Sequence, residues 1–280
     1  MFHSSSFVSM VIRLKEYWKK NHCILIEGTN CKVGAATFHP HSFFSTLKDK
    51  EVNWAFIQLC DRPDDSRRGK HNDRLSRYYQ FQVMLRPITS EIMKLYLESF
   101  TYLGLNLSLY DSKLIEDNWH SKSLGAYGYG WEHWINGSEV AQLTYFEKMA
   151  SIQVQPLFEI TYGCERIACL LQKVDAIRLL KWDENKSYEE LHFPYEEQAS
   201  QINLNKEDII QSYYHAYHLI DKMLEKKLCH IAYEYFLKAN QYFNLLDASG
   251  DISTADRNTM LRNLTQYARL IGSIYLNNYF

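Results

Sequence analysis

Trp131-Glu132-His133-Trp134-Ile135-Asn136-Gly137-Ser138-Glu139-Val140-Ala141-Gln142-Leu143-Thr144-Tyr145-Phe146 decides the fold class of this chain. Asn136-Gly137 is the preferred pair of a type I′ turn, because both central residues need positive φ, and strand-like runs flank it on both sides. The stretch reads as a two-residue β-hairpin, whose register sets Trp131 opposite Gln142. Hairpin strands are antiparallel, which excludes a purely parallel sheet.

Working downstream, Leu157 to Tyr162 reads as a third strand that ends at Gly163. The next residues, Cys164-Glu165-Arg166-Ile167-Ala168-Cys169-Leu170-Leu171, have helical apolar spacing. Arg166 therefore falls in the first turn of a helix, where free backbone N–H groups favour anions.

Working upstream, an arginine-punctuated loop (Arg62, Arg67, Arg68, Arg74) runs into Tyr78-Tyr79-Gln80-Phe81-Gln82-Val83. Period-two alternation puts Tyr78, Gln80 and Gln82 on one strand face and Tyr79, Phe81 and Val83 on the other. Two amides and a phenol beside several guanidiniums suit a small polar metabolite held next to a polyphosphate. Arginine pairs bidentately with phosphate oxygens and amides fix orientation. The bland alternative is a solvated charged loop, in which Asp61, Asp64 and Asp65 balance the arginines; the same acids are of the type that holds Mg2+ through water.

Phe7, Val11, Leu14 and Trp18 recur at helical spacing, and so do Ile209, Tyr213, Tyr217 and Ile220. Apolar-rich runs from Ile231 to Leu246 and from Leu261 to Tyr275 add further helices, and the acid-rich stretch Lys181 to Ser200 is the expected boundary. The expectation is an α+β protein with a mixed antiparallel core over 1–180 and a helical region over 200–280.

The 280 residues carry 31 basic and 33 acidic side chains, so no global positive field draws the chain to nucleic acid. Hydrophobic residues at 46% exclude a disordered chain. The six cysteines form no CxxC pair, which fits thiols in a reducing compartment, and no apolar run approaches the roughly 18 residues of a membrane helix. A cytoplasmic location is expected. No Walker A, GxSxG or dinucleotide fingerprint is present, so covalent catalysis is disfavoured. Gly125-Ala126-Tyr127-Gly128-Tyr129-Gly130 reads either as a tight turn ahead of a strand or as a close backbone approach to a small ligand. His39 with His41, and His215 with His218, lack a third ligand at metal spacing and read as packing or surface histidines.

Several of these blocks recur in the same order in one family. Val33-Gly34-Ala35-Ala36-Thr37-Phe38-His39-Pro40, the Arg62-Pro63 to Val83 block, Glu116-Asp117-Asn118-Trp119, Leu124 to Glu132 with its hairpin, Ile160 to Arg166, and Phe243-Asn244-Leu245-Leu246-Asp247-Ala248 closely resemble the alpha subunit of bacterial heterotetrameric glycyl-tRNA synthetase. The resemblance implies a class II aminoacyl-tRNA synthetase core, an antiparallel sheet flanked by helices, with a helical C-terminal region. It implies glycine, ATP with Mg2+, and tRNA as substrates and cofactor. It also implies a homodimer of this chain within a heterotetramer, whose separate beta subunit handles most tRNA recognition.

Carried onto matching positions, Thr37, Gln80, Gln82, Trp119 and Glu159 form the expected glycine pocket. Arg62, Arg67, Tyr78 and Arg166 form the expected ATP site, with the three arginines as the catalytic groups and Tyr78 assigned to base stacking by strand alternation. Trp119 and Trp131 are expected to crowd out larger side chains. The chain departs from the family's pattern at Asp61, where the family usually has the first of two adjacent arginines, at Ala36, where it more often has glycine, and in a shortened C-terminal end. Asp61 motivates one alternative, a degenerate non-catalytic subunit; another is an ATP-dependent ligase of a different small amino acid.

Overall fold

The computed structural model describes residues 5–63, 75–199 and 205–279. Arg67, Arg68 and Arg74, with Asp64 and Asp65, lie outside the described residues. The described elements, in chain order, are helix α1 (Phe7–Lys20), strand β1 (Ile24–Leu25), helix α2 (Pro40–Leu47), strands β2 (Val52–Asp61) and β3 (Arg77–Arg86), and helix α3 (Ile92–Leu103). Strands β4 (Ser112–Asp117), β5 (His120–Ser121), β6 (Ala126–Ile135), β7 (Ser138–Met149) and β8 (Ile152–Gly163) follow. Helices α4 (Cys164–Gln172), α5 (Tyr188–Ala199), α6 (Lys206–Glu225), α7 (Cys229–Ser249) and α8 (Thr254–Tyr279) complete them.

The strands form one sheet in the order β1-β2-β3-β8-β7-β6-β4, with β5 also on β6. Every described pairing is antiparallel except that of β1 with β2. The expected antiparallel sheet flanked by helices, with a helical C-terminal region, is thus present.

Alternation along the three central strands divides the molecule. Phe81 and Val83 of β3, Leu143 of β7, and Phe158, Ile160 and Tyr162 of β8 face one layer of core, which α1, α3 and α4 cover. Met84, Phe146 and Leu157 face the other core, shared with α2, α6, α7 and α8. Each large side chain fully withdrawn from water contributes about 2 kcal/mol against the entropy of ordering the chain. On this second face the apolar residues occupy only one end of the strands. Beyond them come Gln80, Gln82, Glu159, Thr161, Gln142 and Thr144, and there the helices do not close over the sheet.

The hairpin has the expected turn, with Asn136 at φ 50 and Gly137 at φ 78. Its register differs from the simple two-residue expectation. Ile135 pairs Ser138 and Trp134 pairs Glu139, but the ladder then shifts, so His133 pairs Ala141 and Trp131 pairs Leu143. Val140 is the extra residue of a β-bulge, and a bulge shifts every later pair by one. Trp131 in consequence packs against the core shared with Leu143, away from the open polar face.

The glycine-rich stretch opens with a tight turn ahead of a strand, one of its two expected readings: Gly125, at φ 61, donates its N–H to the Lys122 carbonyl at 3.0 Å, and β6 begins at Ala126. Gly128 and Gly130 lie inside β6, and a Cβ at Gly130 would stand 2.0 Å from the Leu143 carbonyl oxygen. The neighbouring strand explains their size.

Lys181 to Ser200 is not a bare linker either, since it contains α5. Glu196 of that helix accepts hydrogen bonds from the backbone N–H groups of Ser76 (2.8 Å) and Arg77 (2.9 Å), anchoring the start of β3. Helices α6 to α8 match the three predicted apolar stripes, with Tyr213, Ile220, Phe236 and Leu264 buried. Among the described residues, no helix is long and apolar enough to cross a membrane.

Candidate active site

The uncovered half of the sheet face forms a cleft of about 370 Å3. Its floor follows from strand register. Gln82 pairs Thr161, which pairs Gln142, so one cross-strand row of polar side chains runs over β3, β8 and β7. In the next row Glu159 pairs Thr144.

Glu159 is the chemical centre of this floor. It is 1% exposed, and its Oε2 accepts a hydrogen bond from Thr37 Oγ1 at 3.0 Å. Gln82 Nε2 donates to its Oε1, and Thr161 Oγ1 donates to Gln82 Oε1 at 2.7 Å, which locks the amide orientation. Burial pushes the Glu159 carboxyl up to about 8, against the opposing pull of the Thr37, Thr161 and Gln82 hydrogen bonds. A carboxylate this poorly solvated is a receptor for a cation that brings its own hydrogen-bond donors. Thr144 Oγ1 is buried nearby on the register and has no hydrogen-bond partner among the described residues.

The short turn Ala36–Phe38 brings Thr37 over the sheet, and Gln80 holds that turn by accepting the Ala36 N–H at 2.8 Å. Gln80 and Thr37 both line the cleft, as do Trp119 and Glu159. Gln82 is fully buried beneath it and acts on the cleft through Glu159 and Thr161. Trp119 stands edge-on to Phe146 with ring centroids 5.4 Å apart, which fixes its indole at the cleft wall.

The cationic side combines two separate elements. Arg62 follows β2, its guanidinium lying 5.2 Å from the Tyr78 ring centre. Arg62 Nη2 and the Tyr78 hydroxyl both donate to the Gly34 carbonyl, at 3.1 and 3.0 Å. Arg166 comes from the first turn of α4, where its Nη1 donates to the Glu139 carbonyl at 2.6 Å and lies 3.4 Å from the Glu139 carboxylate. Burial raises the Glu139 pKa, while Arg166 and, more weakly, Arg62 lower it. One carboxyl thus feels both guanidiniums, and all three groups line the cleft.

Of the residues expected from the sequence, Thr37, Gln80, Trp119, Glu159, Arg62, Tyr78 and Arg166 line one cleft, Gln82 lies under it, and Arg67 is outside the described residues. Trp131 does not line it. Four polar cleft residues, Thr161, Glu139, Gln142 and Glu165, escaped the sequence reading. Thr161 had a signal, since it lies two residues from Glu159 on one strand and must share its face. Glu165 had none. It is buried, accepts from the Tyr188 hydroxyl at 2.6 Å and the Tyr79 N–H at 2.8 Å, and is pushed up to about 7 by burial.

Asp61 is not among the residues lining the cleft. Its carboxylate meets Arg77 Nε at 3.1 Å, Gln241 Nε2 at 2.9 Å and Lys32 Nζ at 3.6 Å, tying β2 to β3 and α7. His39 is likewise structural, with its ring nitrogens on the Glu27 carbonyl and the His41 N–H.

Solved structures of pyrrolysyl-tRNA synthetase from Desulfitobacterium hafniense are similar to this chain at 11% identity and a TM-score of 0.45, one over 64% of this chain and 74% of that one, another over 65% and 75%. Residues 7–279 match the family described as glycyl-tRNA synthetase alpha subunit. A match of that extent, on a chain whose polar cleft joins residues from the loop after β2 and from β3, β7, β8 and α4, makes this protein a member of the glycyl-tRNA synthetase alpha subunit family.

Proposed function

We propose that the chain activates glycine with ATP and passes the glycyl group to tRNA, as the catalytic subunit of a heterotetramer. The observation that carries this reading is the single cleft with a buried carboxylate floor at Glu159 and two guanidiniums, Arg62 and Arg166, at its side.

The ammonium of glycine has a partner in Glu159, and its carboxylate is then directed toward the arginines. That carboxylate attacks the α-phosphorus of ATP and pyrophosphate leaves, giving the glycyl adenylate. The nucleophile is already ionised at neutral pH, so the step needs alignment and charge stabilisation rather than a general base. Arg62 and Arg166 supply fixed positive charge for the phosphates, with Arg166 reinforced by the N-terminus of α4. Glu139, one-third exposed, would offer an oxygen ligand to a Mg2+ ion carried by the phosphates, which would supply charge neutralisation when bound. Glycine offers no side chain to hold, so selection rests on refusing anything larger, and Trp119 is the wall that refuses it.

The engagement of Asp61 outside the cleft favours an active subunit over a degenerate scaffold, because Arg62 is the residue that meets the cleft. The near-neutral charge supports a division of labour in which a separate beta subunit carries most tRNA contacts; family membership suggests two copies of this chain per assembly and a cytoplasmic location. Glycine-dependent exchange of pyrophosphate into ATP, assayed with and without the partner subunit, tests the reading. Exchange driven by glycine but not by alanine or serine is expected; no glycine-driven exchange in the assembled enzyme would overturn it.

A further inference from the structure

Helix α5 buries little of itself, yet each of its ends is bonded to an element that carries a cleft arginine. Among its described residues Tyr188 alone is fully buried. The Tyr188 hydroxyl donates to Glu165 Oε1 at 2.6 Å, and Glu165 lines the cleft beside Arg166 in the first turn of α4. At the other end Glu196 takes hold of the start of β3. Its carboxylate accepts from the Ser76 N–H at 2.8 Å, from Ser76 Oγ at 2.8 Å and from the Arg77 N–H at 2.9 Å. The neighbouring Tyr195 lies under the Arg77 guanidinium, 3.4 Å from ring centre to the charge. At 1.5 Å of rise per residue, the helix sets its two anchors about 12 Å apart.

Ser76 passes the Glu196 contact on to Arg62. The Arg62 N–H donates to the Ser76 carbonyl at 2.7 Å, one rung beyond the Asp61–Arg77 pair that ends the ladder of β2 and β3. Ser76 is buried, so its polar groups need protein partners, and a carboxylate accepting backbone N–H groups makes a bond about twice as strong as a neutral one. The point at which the Arg62 backbone leaves β2 is thereby held from α5. Its guanidinium, on the Gly34 carbonyl at 3.1 Å, then enters the cleft. Glu196 does not line the cleft, so an effect on a ligand there must travel through Ser76 and Arg62.

We propose that α5 is a brace for the nucleotide phosphates: Glu196 is a positioning residue for Arg62, acting through Ser76, and Tyr188 positions the Arg166 turn through Glu165, so that the two guanidiniums keep a fixed separation across the polyphosphate. The proposal deepens the reading of the cleft as a site that activates glycine with ATP, and rests on it. It adds no bond-making step, because α5 only holds the arginines.

The test is a double-mutant cycle on the chain assembled with its partner subunit, read as the ATP Kd by calorimetry and as the KM values for ATP and glycine in pyrophosphate exchange. Glu196→Ala should weaken ATP binding about tenfold, the equivalent of one charge-assisted hydrogen bond, and leave the glycine KM within about twofold of wild type. In an Arg62→Ala background the same change should weaken ATP binding by less than about twofold, because the group it positions is gone. Glu196→Gln, whose amide oxygen still accepts one N–H, should fall between wild type and Glu196→Ala. Tyr188→Phe keeps the buried ring and should weaken ATP binding about threefold or more through the lost bond to Glu165. A purely structural clasp would move the ATP and glycine constants together, and equally with or without Arg62. Either of those results, or wild-type ATP binding in Glu196→Ala, overturns the proposal. Should Glu196→Ala fail to fold, Glu196→Gln enters the same cycle and is judged by the same two outcomes. Absence of glycine-driven exchange in the wild-type assembly would instead strike the proposed function.

Discussion

Thr37 Oγ1 donates to Glu159 Oε2 at 3.0 Å across 122 positions of chain, and this bond joins the turn before α2 to the middle of β8. It sets one wall of the cleft over its floor. The pair also makes the state of Glu159 consequential, because the carboxyl has few other donors and no solvent.

Glu159 makes the protein less stable as pH rises. Its native pKa of about 8 lies above the ordinary glutamate value of 4.5, so between those values the native state holds a proton that the unfolded state has lost. Stability is therefore greatest below about pH 4.5 on this account and declines through pH 8. Glu159→Gln should remove that decline, so the urea midpoint of the variant should gain on wild type from pH 5 to pH 8.5; parallel profiles would mean the carboxyl is ionised throughout.

On the proposed function, the same titration should govern glycine binding. An ammonium beside Glu159 favours the ionised form, so the glycine KM should fall as pH rises from about 6.5 to 8.5, and Glu159→Gln should abolish the trend. A variant that keeps the wild-type pH profile would put the ammonium elsewhere.

Gln82→Leu removes a donor to Glu159 and the acceptor of Thr161 Oγ1, while Gln80→Leu releases the Ala36 N–H. Each leaves buried polar groups unpaired, a cost of about 1–3 kcal/mol. The glycine KM should rise more than the ATP KM in both variants. Equal changes would place the amides in the nucleotide site.

Arg166→Ala should cut exchange activity by about tenfold to a hundredfold, the equivalent of about 1.5–3 kcal/mol for a charged hydrogen bond, without unfolding the protein. Circular dichroism would check the fold and exchange assays the loss. An effect within threefold would remove Arg166 from the phosphate site.

Asp61→Arg should destabilise the chain rather than raise its activity. The new guanidinium would sit against Arg77 and Lys32 and leave Gln241 without its acceptor, at a cost of about 2 kcal/mol in denaturant unfolding. Higher exchange in the variant would show that the phosphate site needs an arginine there.

Much of this was determined by the sequence alone, because the signals are short-range. Asn136-Gly137 turns the chain by its own backbone preference, and alternation on Tyr78 to Val83 separates Gln80 and Gln82 from Phe81 whatever the strand's neighbours. The apolar spacing of Ile209 to Ile220 likewise needs no partner to be legible. Tertiary structure alone decided where Trp131 points, since the bulge at Val140 is set by the pairing of two strands. It also decided that Asp61 is held outside the cleft. The carboxylate goes there because Arg77, Lys32 and Gln241 converge on it from separate elements, and no local pattern records where distant elements meet. The high pKa of Glu159 is of the same kind, since it arises from burial beneath Thr37 and beside Gln82, which only the packed sheet and the turn over it create.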